Sequence, residues 1–271
     1  MEYNRDYFKG KTAVVTGAAS GIGLALIEEL LESKAAKVVM ADINVENLNK
    51  HVTRLQEQYS DRVKGIVCNV TKEENVQKMI AESADFFDGQ FDLLFNNAGA
   101  GLGGWFADFT MEDWKQGFDI NFYSALYGVY AVLPIMQKQG GGQIINIISG
   151  IAFMPMASQS LYAATKAALN AVSLALRSEY WDNNIKISSA TPGTVVTAIW
   201  DKIGEVPKMA QTPQQSASRI LNGVVNNDRI ILGDDGDVSG ASYCYLPQSN
   251  QGNDEYLLRV ARDRRAGKMS F

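Results

Sequence analysis

Apolar residues recur along this chain in two alternating rhythms. Short β-branched runs occupy 12–16 (TAVVT), 37–41 (KVVMA), 62–67 (RVKGIV) and 91–95 (FDLLF), then 143–149 (QIINIIS), 185–190 (IKISSA) and 229–233 (RIILG). Between the early runs lie amphipathic stretches at about 21–33, 44–58 and 72–87, with apolar positions three and four apart. Longer helical patterns fall around 111–138 and 160–182, and another near 212–226. The strand candidates are continuously apolar, as expected where helices cover both faces. The alternation predicts an α/β fold: a doubly wound parallel sheet of about seven strands with helices on both sides. No long linker or short-period repeat breaks the pattern. One domain over 1–271 is expected, with an irregular segment at about 194–211 and a tail from about 234.

Composition narrows the function classes. The chain has 271 residues, 46% hydrophobic and 20% charged, ordinary for a globular protein with a sizeable core. The net charge of −5 argues against nucleic acid or an anionic membrane surface as partner. Cys68 and Cys244 are too few and too far apart for a disulfide framework, and Cys68 reads as a buried thiol. The single histidine, His51, reads as a surface residue. Zinc and a Ser-His-Asp triad are therefore not expected. The N-terminus is polar, unlike a signal peptide. The most apolar stretch, 122–136, is short for a bilayer span and reads as a buried helix. A cytoplasmic location is expected. The basic end, with Arg259, Arg262, Arg264, Arg265 and Lys268, reads as a solvated helix or tail.

Chemistry enters first at TGAASGIG, 16–23, between the first strand and its helix. Gly17, Gly21 and Gly23, with Ser20 and Ile22, form a turn whose backbone N–H groups can approach a pyrophosphate at a helix N-terminus. The second strand ends in Asp42, nineteen residues after Gly23 and followed by Ile43 and Asn44. A carboxylate there accepts from both ribose hydroxyls and repels a 2′-phosphate, and no Lys or Arg follows it. This favours NAD over NADP. Asp42 could instead cap the helix that starts near 44. Further on, Tyr162 and Lys166 stand one helical turn apart on one face.

Together these pieces resemble the short-chain dehydrogenase/reductase family in its single-domain form, over about residues 9–233. The motifs run in order: TGAASGIG, Asp42, NNAG at 96–99, Asn121, Ser149, Tyr162-x-x-x-Lys166 and PGTVVT at 192–197. The resemblance implies a secondary alcohol–ketone oxidoreductase. Tyr162 would exchange the proton with the substrate oxygen, and Ser149 would orient that oxygen. Lys166 would hold the nicotinamide ribose and lower the Tyr162 pKa, and Asn121 would hold a relay water. Asn96, Ala98, Gly99, Pro192 and Gly193 would shape the cofactor cleft. The Val195 backbone and Thr197 hydroxyl would fix the carboxamide. Asn69 and Val70 stand where the family usually has Asp-Val, and the Asn69 carbonyl would still accept from the adenine amine.

Three segments should line the substrate cleft: 99–109, 151–158 and 198–209. They bring Trp105, Phe106, Phe153, Met154, Met156, Ile199 and Trp200, with Lys202 and Lys208 as the anion handles. That lining predicts an apolar or bulky alcohol or ketone. Relatives pair the helices around 111–138 and 160–182 between subunits, so a homodimer or homotetramer is expected. Two other readings remain at this point: a dinucleotide-sensing regulator without catalysis, and an extended-type epimerase or dehydratase. The full set Asn121, Ser149, Tyr162 and Lys166 disfavours the first. The short segment after 192 disfavours the second.

Overall fold

The computed structural model describes residues 3–197, 207, 209–243, 246 and 250–269. Chain order is β1 (Thr12–Thr16), α1 (Gly21–Glu32), β2 (Lys37–Asp42), α2 (Val45–Tyr59), β3 (Val63–Val67), α3 (Glu73–Phe86) and β4 (Leu93–Asn96). Then come α4 (Met111–Phe118), α5 (Ser124–Gln139), β5 (Gly142–Ile147), α6 (Ser160–Glu179), β6 (Ile185–Ala190), α7 (Pro213–Asn226) and β7 (Ile230–Ile231). Two further helices, α8 (Asp235–Tyr243) and α9 (Asn250–Arg265), close the chain.

The strands form one parallel sheet in the order β3-β2-β1-β4-β5-β6-β7. The doubly wound α/β reading is therefore correct. The order reverses between β1 and β4, which opens a crevice beyond their carboxyl ends, where ligands bind in such sheets. Two apolar layers hold the sheet. One packs α1, α2 and α7 through Leu26, Leu30, Leu48, Ile220 and Leu221. The other packs α3 and α5 through Met79, Ile80, Val129, Val132 and Leu133. Each fully buried side chain of this kind contributes about 1.5–3 kcal/mol relative to exposure.

Local chemistry sets the helix starts. Thr110 and Asp113 cap α4 reciprocally, and Thr212 with Gln215 does the same for α7, where Pro213 takes the first helical position. The pattern at 111–138 predicts one helix. In the structure a π-helical turn, Asp119–Tyr123, separates α4 from α5. Helix α5 is buried on one face only, since Tyr130 is 73% exposed and Tyr123 is also open. The reading of 122–136 as a buried helix is corrected to that extent. Among the described residues, no helix is long and apolar enough to cross a membrane.

Two expectations about single residues also change. His51 is half-buried rather than on the surface, its Nδ1 buried without a hydrogen-bond partner, and burial lowers its pKa. The basic end is not simply solvated. Val260 is 2% exposed, and Arg264 donates to the Ala157 carbonyl at 2.7 Å and to Gln159 Oε1 at 3.3 Å. Arg265 lies over the Trp105 ring, 4.7 Å from its centroid. Cys68 is buried as expected, and desolvation pushes its thiol up to about 11. Cys244 lies outside the described residues.

Candidate active site

The crevice is built from five strand ends. After β1 the chain turns through Gly17 at φ +66° and Gly21 at φ +52°, a region that glycine enters without strain. A Cβ on Gly23 would collide with the Gly17 carbonyl oxygen, so close packing of α1 on the turn requires glycine there. Ser20, at the N-cap of α1, makes no side-chain cap, and no acidic residue stands in the first turn. The leading amides of α1 thus lack a side-chain acceptor, and an anionic pyrophosphate can supply one. Ile22 packs on the core, while Ile43 is 63% exposed beside Asp42.

Asp42 faces this turn. Its Oδ2 accepts from the Ala19 amide and its Oδ1 from the Asn44 amide, both at 2.9 Å. It is not the cap of α2. Asn44 fills that place, accepting from the Asn47 amide at 3.0 Å. A carboxylate oxygen has further lone pairs for ribose hydroxyls. The residues present fit a dinucleotide.

Asn69 behaves otherwise than expected. Its Oδ1 takes two hydrogen bonds from Thr71, from the amide at 3.1 Å and the hydroxyl at 2.8 Å. That carbonyl closes a local turn rather than waiting for adenine. Val70 is buried in the second apolar layer. Asn96 is also corrected: its amide points away from the crevice, donating to Asn146 Oδ1 at 2.8 Å and to the Ala125 carbonyl. The residue beside it does the work at the turn. Asn97 donates from Nδ2 to the carbonyls of Thr16 and Gly17, and the Thr16 hydroxyl accepts from the amides of Asn97 and Ala98. The sequence held the signal in NNAG, where a second Asn follows directly after the strand.

Ser149, Tyr162, Lys166 and Asn121 converge above β4 and β5. Ser149 lies near enough to the Tyr162 hydroxyl to lower its pKa. Lys166 Nζ lies 5.9 Å from the Tyr162 ring centroid and donates to the Ile147 carbonyl at 2.9 Å. A Cβ on Gly99 would come within 2.9 Å of Asn121 Oδ1 and 3.3 Å of Lys166 Nζ, so this glycine lets both approach. The Asn121 carboxamide is fastened to Ala100, accepting from its amide at 2.8 Å and donating to its carbonyl at 2.9 Å. It also reaches Thr165 Oγ1 at 3.3 Å. Its place in a π-helical turn is a frequent sign of a functional position.

The electrostatics differ from the simple Lys-lowers-Tyr expectation. Burial raises the Tyr162 pKa. The nearby Ser149 hydroxyl lowers it in part, and Asp237 raises it again. Lys166 contributes no resolved shift to Tyr162. Its own ammonium is lowered by burial to about 8. In the free protein Tyr162 therefore holds its proton firmly at neutral pH.

The Lys166 shift has a consequence for stability. A base with a lower pKa folded than unfolded loses stability as pH falls through its folded pKa, about 8 here, and recovers it toward the ordinary 10.5. Lys166→Met should therefore stabilise the cofactor-free protein at pH 7 by about 1–2 kcal/mol, net of the bond lost to Ile147. The gain should vanish near pH 10. Urea unfolding at both pH values measures it, and a net loss at pH 7 would contradict the assignment.

The nicotinamide side is walled by the loop after β6. Gly193 sits at φ +74°, and Val195 is buried and bridges to Gln211. Pro192 is held through its carbonyl by Gln211 Nε2 and Ser216 Oγ, each at 2.8 Å. Thr197 lies 3.3 Å from where a Gly21 Cβ would be, so the two loops meet across the crevice. On the substrate side Trp105, Met154 and Met156 are partly buried, and Phe106 is 70% exposed. Phe153 is corrected: it is 6% exposed and packs in a small cluster with Ala125, Ile148 and Leu169, away from the cleft. Trp200, Ile199, Lys202 and Lys208 lie outside the described residues.

The chain belongs to the short-chain dehydrogenase family, whose model matches residues 11–208. It is 37% identical over 211 residues to an uncharacterized oxidoreductase of Staphylococcus aureus strain MW2, covering 78% of this chain and 89% of that protein. Two solved structures share the fold closely. One is a short-chain dehydrogenase/reductase from Burkholderia phymatum in complex with NAD: TM-score 0.79, 25% identity, 87% of this chain and 93% of that one. The other is a 7α-hydroxysteroid dehydrogenase complexed with NADH and 7-oxo glycochenodeoxycholic acid: TM-score 0.79, 26% identity, 87% and 97% covered. The protein is thus an oxidoreductase of a family with dinucleotide-bound members.

Proposed function

We propose that the protein is an NAD(H)-preferring oxidoreductase that interconverts a secondary alcohol and a ketone on an apolar or bulky substrate. The convergence of Ser149, Tyr162 and Lys166 at one end of the crevice carries this reading. Asp42, with its carboxylate at the glycine turn and no basic neighbour after it, supports NAD over NADP. A bound nicotinamide supplies or accepts the hydride. In the reducing direction Tyr162 would give its proton to the carbonyl oxygen, which Ser149 would orient. In the oxidising direction Tyr162 takes that proton back. Lys166 would hold the nicotinamide ribose. Asn121 braces the π-helical turn beside Lys166, where a relay water would sit. Val195 and Thr197 would fix the carboxamide.

The partly buried Trp105, Met154 and Met156 support an apolar substrate. A panel of alcohols and ketones tests it: apolar secondary alcohols should give higher kcat/KM than small hydroxy acids, and the reverse order would reject the reading. The chain works as a single catalytic domain in the cytoplasm, with neither nucleic acid nor membrane as partner. The exposed aromatic face of α5, with Tyr123 and Tyr130, supports a homodimer or homotetramer. Light scattering at micromolar concentration should give at least twice the chain mass, and a monomer would contradict it.

A further inference from the structure

Helix α8 carries a carboxylate into the wall of this site that the reaction above does not use. Asp234 caps the helix, its Oδ1 accepting from the Asp237 amide at 2.8 Å. Its Oδ2 accepts from the Thr194 amide at 2.7 Å and so pins the loop at 192–197. One turn into α8, Asp237 points at the short 3-10 turn Gly150–Ala152 that follows Ser149. A Cβ on Gly150 would collide with Asp237 Oδ1, so only glycine admits the carboxylate there. Asp237 Oδ2 is buried and takes no hydrogen bond.

The groups facing Asp237 come from four elements. Helix α6 presents Tyr162, the loop after β6 presents Thr191 and the Gly193 amide, the strand end after β7 presents the Gly233 amide, and the turn into α8 presents Asp234. None is a cation. It lies against Gly150, beside Ser149, and near the Gly193 amide of the loop at 192–197; on the cofactor reading above, the nicotinamide ring would sit between these two sides. A buried carboxylate without a counter-charge is costly. The oxidised nicotinamide ring is a cation and the reduced ring is neutral, so only the oxidised form offsets that cost.

We propose that Asp237 reads the redox state of the cofactor: its negative charge favours NAD⁺ over NADH at this site. The proposal rests on the cofactor reading above and concerns a positioning charge rather than a group that reacts. Burial raises the Asp237 carboxyl to about 6; the Thr191 hydroxyl and the Gly233 and Gly193 amides pull it back in part, while Asp234 pushes it up, so the charge is present at pH 8 and largely absent at pH 5.

Calorimetric titration of the purified protein with NAD⁺, NADH and ADP-ribose, and with their 2′-phosphorylated counterparts, tests it without a substrate. At pH 8, Asp237→Asn should weaken the oxidised cofactor about tenfold. The reduced form and ADP-ribose, which lacks the ring, should bind as before. Wild-type protein at pH 5 should show the same selective loss, which keeps the test valid if the variant does not fold. Equal weakening of all ligands would make Asp237 a brace for the loop and overturn the proposal, as would an unchanged NAD⁺:NADH ratio. Failure of every ligand to bind would reject the cofactor reading and this inference with it.

Discussion

Replacing Tyr162 by phenylalanine is expected to lower kcat by about 10²–10⁴-fold, the range a positioned general acid or base supplies. NADH affinity should stay close to wild type, because the ring remains and only the hydroxyl is lost. That hydroxyl has the raised pKa of a buried phenol, offset in part by Ser149. Phenylalanine keeps the packing and removes the proton. The pH profile carries a second part of the prediction. With Tyr162 protonated in the free protein, ketone reduction should hold its rate through neutral pH, since the acid form is the one required. Alcohol oxidation should climb with pH, as phenolate becomes available. Turnover that falls less than tenfold in Tyr162→Phe would remove this residue from the chemistry.

The second large effect belongs to Asp42. Wild-type protein should bind NADH at least about 10²-fold more tightly than NADPH, since a carboxylate within about 4 Å of a phosphate repels it by several kcal/mol at the dielectric of a protein surface. In Asp42→Ala that ratio should fall below about tenfold. Both affinities will also drop together, because the variant loses the bond that holds the Ala19 amide in the glycine turn. The ratio, not either constant alone, therefore reports the ribose contact. An NADPH preference in the wild type would mean that Asp42 serves only the turn. Fluorescence titration with the two reduced cofactors gives the answer directly.

The sheet was legible because each strand is continuously apolar and each intervening helix repeats at its own period, a local property. The same holds for the glycine turn, Asp42 and the Tyr162–Lys166 pair, whose partners lie within a few residues or at a strand end. What was missed depends on direction or distance. Asn96 and Asn97 are identical letters, yet neighbouring positions at a strand end face opposite sides, so one locks into the core and the other braces the turn. Phe153 sits in an apolar loop whose composition says nothing about which way each ring faces. Asp237 acquires its meaning only through Gly150, and Arg264 through Ala157, contacts between residues far apart in sequence. The expected effect of Lys166 on Tyr162 failed for a similar reason: spacing gives proximity, but burial decided both pKa values.

Helix α9 sets how such a protein can diverge. Its Arg264 grips the segment at 156–159 that leads into the Tyr162 helix, and the helix lies wholly beyond residue 208, where the family match ends. Helix α9 thus ties a segment outside that match to the entry of the Tyr162 helix. A change after Asn250 would therefore reach the start of the Tyr162 helix while leaving the glycine turn, Asp42 and Tyr162 themselves unaltered.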